Sequence, residues 1–186
     1  MTALTIYADD LSGTPETLTD FDAIAARLGR IGVEFERWQT NQQLAAGADQ
    51  EAVLAAYREA IDALNARYGF RSIDVVSLSP DHPDAAAMRD KFLAEHTHAD
   101  FEVRFFVDGR GLFYLHVDGS VYLVLCERGD LISVPAGTTH WFDMGSRPDF
   151  RCIRFFTTGD GWVGNFTGSD IATRFPGFDD YLAELA

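Results

Sequence analysis

Cysteine is scarce in this chain of 186 residues: there are two, Cys126 and Cys152. Two thiols form no disulfide framework, and both stand in apolar, strand-like runs where a buried free thiol is expected, which suits a reducing compartment. Basic residues are also few, 15 Lys and Arg against 29 Asp and Glu, for a formal net charge of −14. Nucleic-acid binding needs a basic face that neutralises phosphates, so no nucleic-acid partner is expected, and no anionic membrane surface either. No stretch of ~18 apolar residues occurs, so no transmembrane helix is expected. Met1–Asp10 has neither the basic start nor the apolar core of a signal peptide, which leaves the cytoplasm as the expected location. Repeats, low-complexity tracts and linkers are absent, so residues 1–186 are read as a single domain. A chain of this length buries roughly 70% of its unfolded surface, enough for a core without covalent staples.

The first half alternates helical and extended patterns. Phe21, Ile24, Ala25, Leu28 and Ile31 recur at helical spacing after Asp20, an N-cap candidate, with Gly32 at the exit. Val33 to Trp38 reads as a short strand. Val53, Leu54, Tyr57, Ile61, Leu64 and Tyr68 predict one longer helix, opened by Asp49 and closed by Gly69. A strand over 71–78 and a short helix over 84–93 follow, with Pro80 and Pro83 between them.

From His96 onward the texture is different. Runs at 103–107, 112–116, 121–126, 131–134 and 152–156 are separated by Asp108-Gly109, Asp118-Gly119 and Arg128-Gly129-Asp130. Short strands punctuated by turns predict an antiparallel sandwich or small barrel, with the part over 1–95 packed on it.

Three of the five histidines fall in informative places. His96 and His98 stand at i and i+2, which on an extended segment puts both imidazoles on one face. Glu102 continues that parity, and Arg104 extends it by two. Imidazoles plus one carboxylate suit Fe(II), Ni(II), Mn(II) or Zn(II) without choosing among them. His82, between Asp81 and Pro83, reads as a turn residue. His116 closes a strand and reads as an ordinary structural histidine.

The spacing adds specificity. His96-Thr97-His98, three residues, Glu102, six residues and Gly109 reproduce one motif, and Gly129, five residues, Pro135, one residue, Gly137, two residues and His140 reproduce a second, with 19 residues between them. In this order and spacing the two resemble the paired motifs of the cupin superfamily. The resemblance implies a mainly β fold with packed helices, a cupin double-stranded β-helix or jelly-roll barrel, whose metal-binding motifs lie within 96–165. Asp90 stands where cupins often open with glycine, and Met144 where they often close with asparagine.

Longer runs narrow the family. Glu95-His96-Thr97-His98, Glu102 to Phe106, Gly111-Leu112-Phe113 and Asp130 to Gly145 resemble the acireductone dioxygenases in their bacterial form, as do Phe35 to Trp38, Gly161-Trp162 and Phe166 to Gly168. Met144 is usual in that family. The resemblance implies His96, His98, Glu102 and His140 as ligands of one Fe(II) or Ni(II) per chain. It implies a dioxygenase of methionine salvage, acting on 1,2-dihydroxy-3-oxo-5-methylthiopentene and O2. With Fe(II) the expected products are formate and 4-methylthio-2-oxobutanoate; with Ni(II), methylthiopropanoate, formate and CO.

Around these ligands, Arg104 is the expected catalytic residue, its fixed charge favouring an ionised substrate. A structural partnership with a buried acid is its other reading. Glu95 is assigned to metal loading or to a hydrogen bond near the ligands. Phe142 and Trp162 are candidate walls for the substrate tail, although aromatic core packing explains them equally. Relatives usually carry an acid where this chain has Phe101. Another metal-dependent cupin enzyme, such as a different dioxygenase or a sugar isomerase, and a non-catalytic metal- or ligand-binding cupin remain as alternatives. A monomer is expected.

Overall fold

A computed structural model of the chain describes residues 1–45, 47–159 and 163–186. The chain enters as strand β1 (Ala3–Ala8), β2 (Glu16–Leu18), helix α1 (Phe21–Gly29) and β3 (Glu34–Arg37). Helices α2 (Gln50–Ala56) and α3 (Arg58–Tyr68) lead to β4 (Ser72–Leu78) and α4 (Ala85–Leu93). Seven strands follow: β5 (His96–Thr97), β6 (Glu102–Val117), β7 (Ser120–Glu127), β8 (Asp130–Val134), β9 (Thr139–Asp143), β10 (Phe150–Phe156) and β11 (Asn165–Phe166). A 3-10 turn at Ile171–Arg174 and helix α5 (Phe178–Glu184) complete it. No helix among the described residues is long and apolar enough to cross a membrane.

Two antiparallel sheets share β6. Its C-terminal half lies in a sheet ordered β11-β5-β9-β6-β7-β1-β2. Its N-terminal half pairs with β8 and β10, which continue to β3 and β4. The runs 103–107 and 112–116 are therefore one strand, not two separated by a turn at Asp108-Gly109. Gly109 bends that strand from one sheet to the other. Its φ is +69°, and a Cβ there would lie 2.0 Å from the Asp149 carbonyl oxygen, so only glycine fits. Among the described residues the hydrogen-bonded ladder does not close on itself, so the expected barrel is an open cupin sandwich. The strands that would have to close it, β5, β11 and β2, are two or three residues long.

Apolar layers explain which elements pack where. The space between the sheets holds Phe106, Phe113, Val124, Ile132, Phe142 and both cysteines. The cysteines are free and buried, and burial pushes both thiols up, so they are inert core residues. On the outer face of one sheet, Val53, Tyr57, Ile61 and Leu64 of the α2–α3 region cover Val103, Phe105, Ile153 and Phe155. On the outer face of the other, Phe178 and Tyr181 of α5 cover Leu112, Tyr114 and Trp141. Residues 103–107 are thus buried on both faces and read as a continuous apolar run.

The helix caps are where side-chain chemistry puts them. Asp20 accepts from the Ala23 amide and Asp49 from the Ala52 amide, both at 2.9 Å. The single helix expected through Tyr57 is broken there. Tyr57 leaves helical geometry (φ −108°, ψ 15°) while its ring docks edge-on against Phe105, centroids 5.0 Å apart.

Candidate metal centre

Four buried side chains converge between the sheets at one end: His96, His98, Glu102 and His140, with one potential ligand atom from each lying within 4.8 Å of all the others. His96 on β5 faces His140 on β9 as a registered pair, and the Glu102 backbone on β6 pairs with Val134 on β8. Parity along one strand does not explain the site. Residues 98–101 leave the strand, so Glu102 rejoins the histidines from the opposite sheet. The turn after β8 ties the arrangement together, because the Gly137 amide donates to the His98 carbonyl at 2.8 Å.

Each imidazole is held by its far nitrogen. The Nδ1 atoms of His96, His98 and His140 lie 2.7, 2.9 and 2.8 Å from the carbonyl oxygens of Ala94, Val163 and Thr138. A carbonyl only accepts, so each Nδ1 carries the proton and each Nε2 turns a lone pair inward. The Nε2 atoms of His98 and His140 then stand 2.9 and 3.1 Å from Glu102 Oε2. Lone pairs that close to a carboxylate oxygen require a cation among them, a proton or a metal ion. Three imidazole nitrogens and one oxygen fit a divalent transition metal.

The electrostatics agree. Burial would raise the Glu102 carboxyl, but the charge of Arg104 and the two imidazoles outweigh it and hold it well below the ordinary range. Burial also pushes His96 down to about 4, keeping it neutral as a ligand must be. His98 moves the other way, since its contact with Glu102 outweighs burial.

Arg104 is buried on the same inward face of β6, with Nε 2.8 Å from Glu102 Oε1. The carboxylate therefore gives one oxygen to the arginine and turns the other toward the imidazoles. The guanidinium also lies over Phe142 and Phe113, 4.7 and 5.3 Å from their ring centres. Gly111 makes room for Phe142, since a Cβ there would come within 2.4 Å of the ring.

These groups open into a cavity of about 480 Å³. Met88 and Phe92 of α4, with Phe142, give it an apolar wall; Asp74, Lys91 and Arg154 give it a charged one. Phe142 thus lines the cavity. Trp162 lies outside the described residues. Glu95 does not face the cluster: it is buried with Oε1 2.9 Å from His116 Nδ1, and its Oε2 accepts from the Thr167 hydroxyl at 2.6 Å. His116 is a structural partner of Glu95, and His82 lies in a turn, accepting from the Asp84 amide. Phe101 is partly exposed, and Asp100 beside it accepts from the amides of Phe101 and Thr157.

Sequence reading missed Asp74, Lys91, Phe92, Met88 and Arg154. Arg154 and Asp74 meet only because β10 and β4 pair in that register, which neither strand reveals alone. The α4 residues have helical spacing on one face, a signal that ordinary core packing also produces.

Comparisons with known proteins converge. The family model described as ARD/ARD' matches residues 4–164. An acireductone dioxygenase from Methylococcus capsulatus is 56% identical over 186 residues, spanning both chains completely. One from Parvibaculum lavamentivorans is 59% identical over 180 residues, 96% of this chain and 98% of its own. Among solved structures, acireductone dioxygenase from Bacillus anthracis with a cadmium ion in the active centre matches at a TM-score of 0.78 and 31% identity, covering 89% of this chain and 98% of the other. With both motifs inside the matched region and the fold shared, the chain belongs to the acireductone dioxygenase family.

Proposed function

We propose that this chain binds one Fe(II) or Ni(II) ion through His96, His98, Glu102 and His140 and cleaves an acireductone with O2. The supporting observation is the set of three carbonyl-anchored imidazoles and one carboxylate facing a common point. When bound, the ion would supply Lewis acidity and a template for the enediolate. The chain's own residues do the rest. The backbone carbonyls keep the ligand nitrogens aimed, so that no imidazole has to reorient when the substrate enters. Arg104 places a fixed positive charge beside the site, favouring the ionised enediolate and stabilising negative charge that grows on its oxygens. Met88, Phe92 and Phe142 offer the methylthio tail an apolar wall away from water. The cavity volume falls within the usual range for a small-molecule site.

Four ligands alone do not select between the two ions, and the products report which one is used. We assign formate and 4-methylthio-2-oxobutanoate to the Fe(II) protein, and methylthiopropanoate, formate and CO to the Ni(II) protein. The test is to strip the protein, reconstitute it with each metal separately, add acireductone and O2, and identify products by NMR and gas chromatography. Keto acid from the iron form and CO from the nickel form are expected. Metal uptake without oxygen consumption in either form would overturn the proposal.

A further inference from the structure

Of the 15 basic side chains in this protein, only one, Lys91, is a lysine. It stands at the metal-facing cavity, on the face of α4 that also presents Met88 and Phe92. Among the described residues, two other fixed cations line the cavity, and both are committed. Arg104 Nε lies 2.8 Å from Glu102 Oε1, and the Arg154 guanidinium grips both oxygens of Asp74 at 2.8 and 2.7 Å. Lys91 has no carboxylate partner among the described residues.

Its helix explains why. The positions that would neutralise a helical lysine, four before, three before and three after, are Ala87, Met88 and Ala94. Glu95, four after, is spent on His116 and Thr167. A chain of net charge −14 repels an anionic substrate, so an uncommitted cation at the cavity is where attraction can be recovered. Lysine suits that task better than arginine: it is a compact charge on a flexible stem and can follow an anion inward.

We propose that Lys91 captures the anionic enediolate at the cavity and selects it over neutral analogues, a specificity role that rests on the dioxygenase reading above. Its charge acts on encounter and binding, so its loss falls on KM rather than on kcat.

The test uses the metal-loaded protein and its K91Q and K91R variants, in acireductone kinetics from about 20 to 300 mM salt. K91Q is expected to raise KM about tenfold and to flatten the salt dependence of kcat/KM, and K91R to restore both. A purely structural role would lower thermal stability and leave the salt dependence alone. Wild-type KM and salt dependence in K91Q would overturn the proposal. A second readout does not need turnover. With one lysine, 13C-lysine labelling gives a single side-chain signal, which oxalate, an inert planar dianion, should shift saturably in the Zn(II)-loaded protein. No shift would overturn the capture role even if catalysis is normal. If the wild type oxidises no acireductone with either metal, the dioxygenase reading falls, and the oxalate titration still decides whether Lys91 receives anions.

Discussion

Asp143 carries more of this architecture than its place three residues after a metal-ligand candidate suggests. It is fully buried, and each carboxylate oxygen accepts two donors: Oδ1 from Arg89 Nε at 2.6 Å and the Gly145 amide at 2.9 Å, Oδ2 from Arg89 Nη2 and the Phe178 amide, both at 2.9 Å. Burial would raise this carboxyl, but Arg89 and the two amides outweigh it and hold the group below its ordinary value. One side chain therefore joins α4, β9 and the start of α5. Asp143→Asn keeps the shape and removes one acceptor. Whichever way the amide turns, its NH2 faces two donors, leaving both unsatisfied at about 1–3 kcal/mol each. Arg89 loses its counter-charge as well. The expected loss is on the order of 4 kcal/mol, within the range for breaking a buried pair. In a chain of this size that lowers Tm by about 8–16 °C. Urea unfolding of metal-free protein measures it directly. An Asp143→Asn/Arg89→Met double variant removes the stranded charge, and should be no less stable than Asp143→Asn alone. A single-variant loss below about 1 kcal/mol would refute the reasoning.

Three further outcomes are expected. Arg104→Met should keep about one metal per chain while kcat falls about 10²–10³-fold, because the ion can balance Glu102 but cannot replace a fixed charge on the substrate side. Metal lost in step with activity would reduce Arg104 to a structural partner. His140→Ala should lose the ion while far-ultraviolet circular dichroism stays native, and unchanged stoichiometry by elemental analysis would remove His140 from the ligand set. The third concerns pH in the metal-free protein. His96 is pushed down from 6.5 to about 4, mainly by burial, so the unfolded chain takes up this proton first. Its contribution is complete above pH 6.5 and is lost as pH falls through about 4, amounting to about 3 kcal/mol. The stability difference between wild type and His96→Asn should therefore shrink with acid over that window, and a difference independent of pH would count against it.

Residues that depend on local chemistry were legible before the fold was known. Asp20 and Asp49 cap helices because a short acceptor before an apolar stripe satisfies free amides, a relation contained within four residues. The converging set His96, His98, Glu102 and His140 was legible because two spaced motifs specify it jointly. The way those residues meet was not. Even parity suggested one strand face, whereas the chain leaves the strand after Thr97 and Glu102 returns from the other sheet. The continuity of β6 was hidden for a related reason: Asp108-Gly109 has the composition of a turn, and only the approach of Asp149 and Phe150 makes it a bend inside a strand. Glu95 was placed near the ligands by adjacency, yet its carboxylate is taken up by His116 and Thr167. Arg154 and Asp74 required a cross-strand register that no single segment encodes.

The open ladder and the ligand set bear on each other. His96 and His140 belong to one sheet, and Glu102 starts the half of β6 that belongs to the other. Among the described residues, ladder hydrogen bonding joins the sheets through β6 but does not close them into a ring, and at this end the backbone link across them is the Gly137 amide on the His98 carbonyl. Without an ion, the contacts available there set the lone pairs of His98 and His140 against Glu102 Oε2, an arrangement that only a proton relieves. A divalent ion held by His96, His98, Glu102 and His140 would replace that repulsion with attraction between residues of both sheets. Binding to the folded state alone adds about 2.7 kcal/mol when free metal is at a hundred times its Kd. An ion held there would therefore be a cross-link as well as a reagent, and the charge of Arg104 together with the imidazoles of His98 and His140 keeps Glu102 ionised.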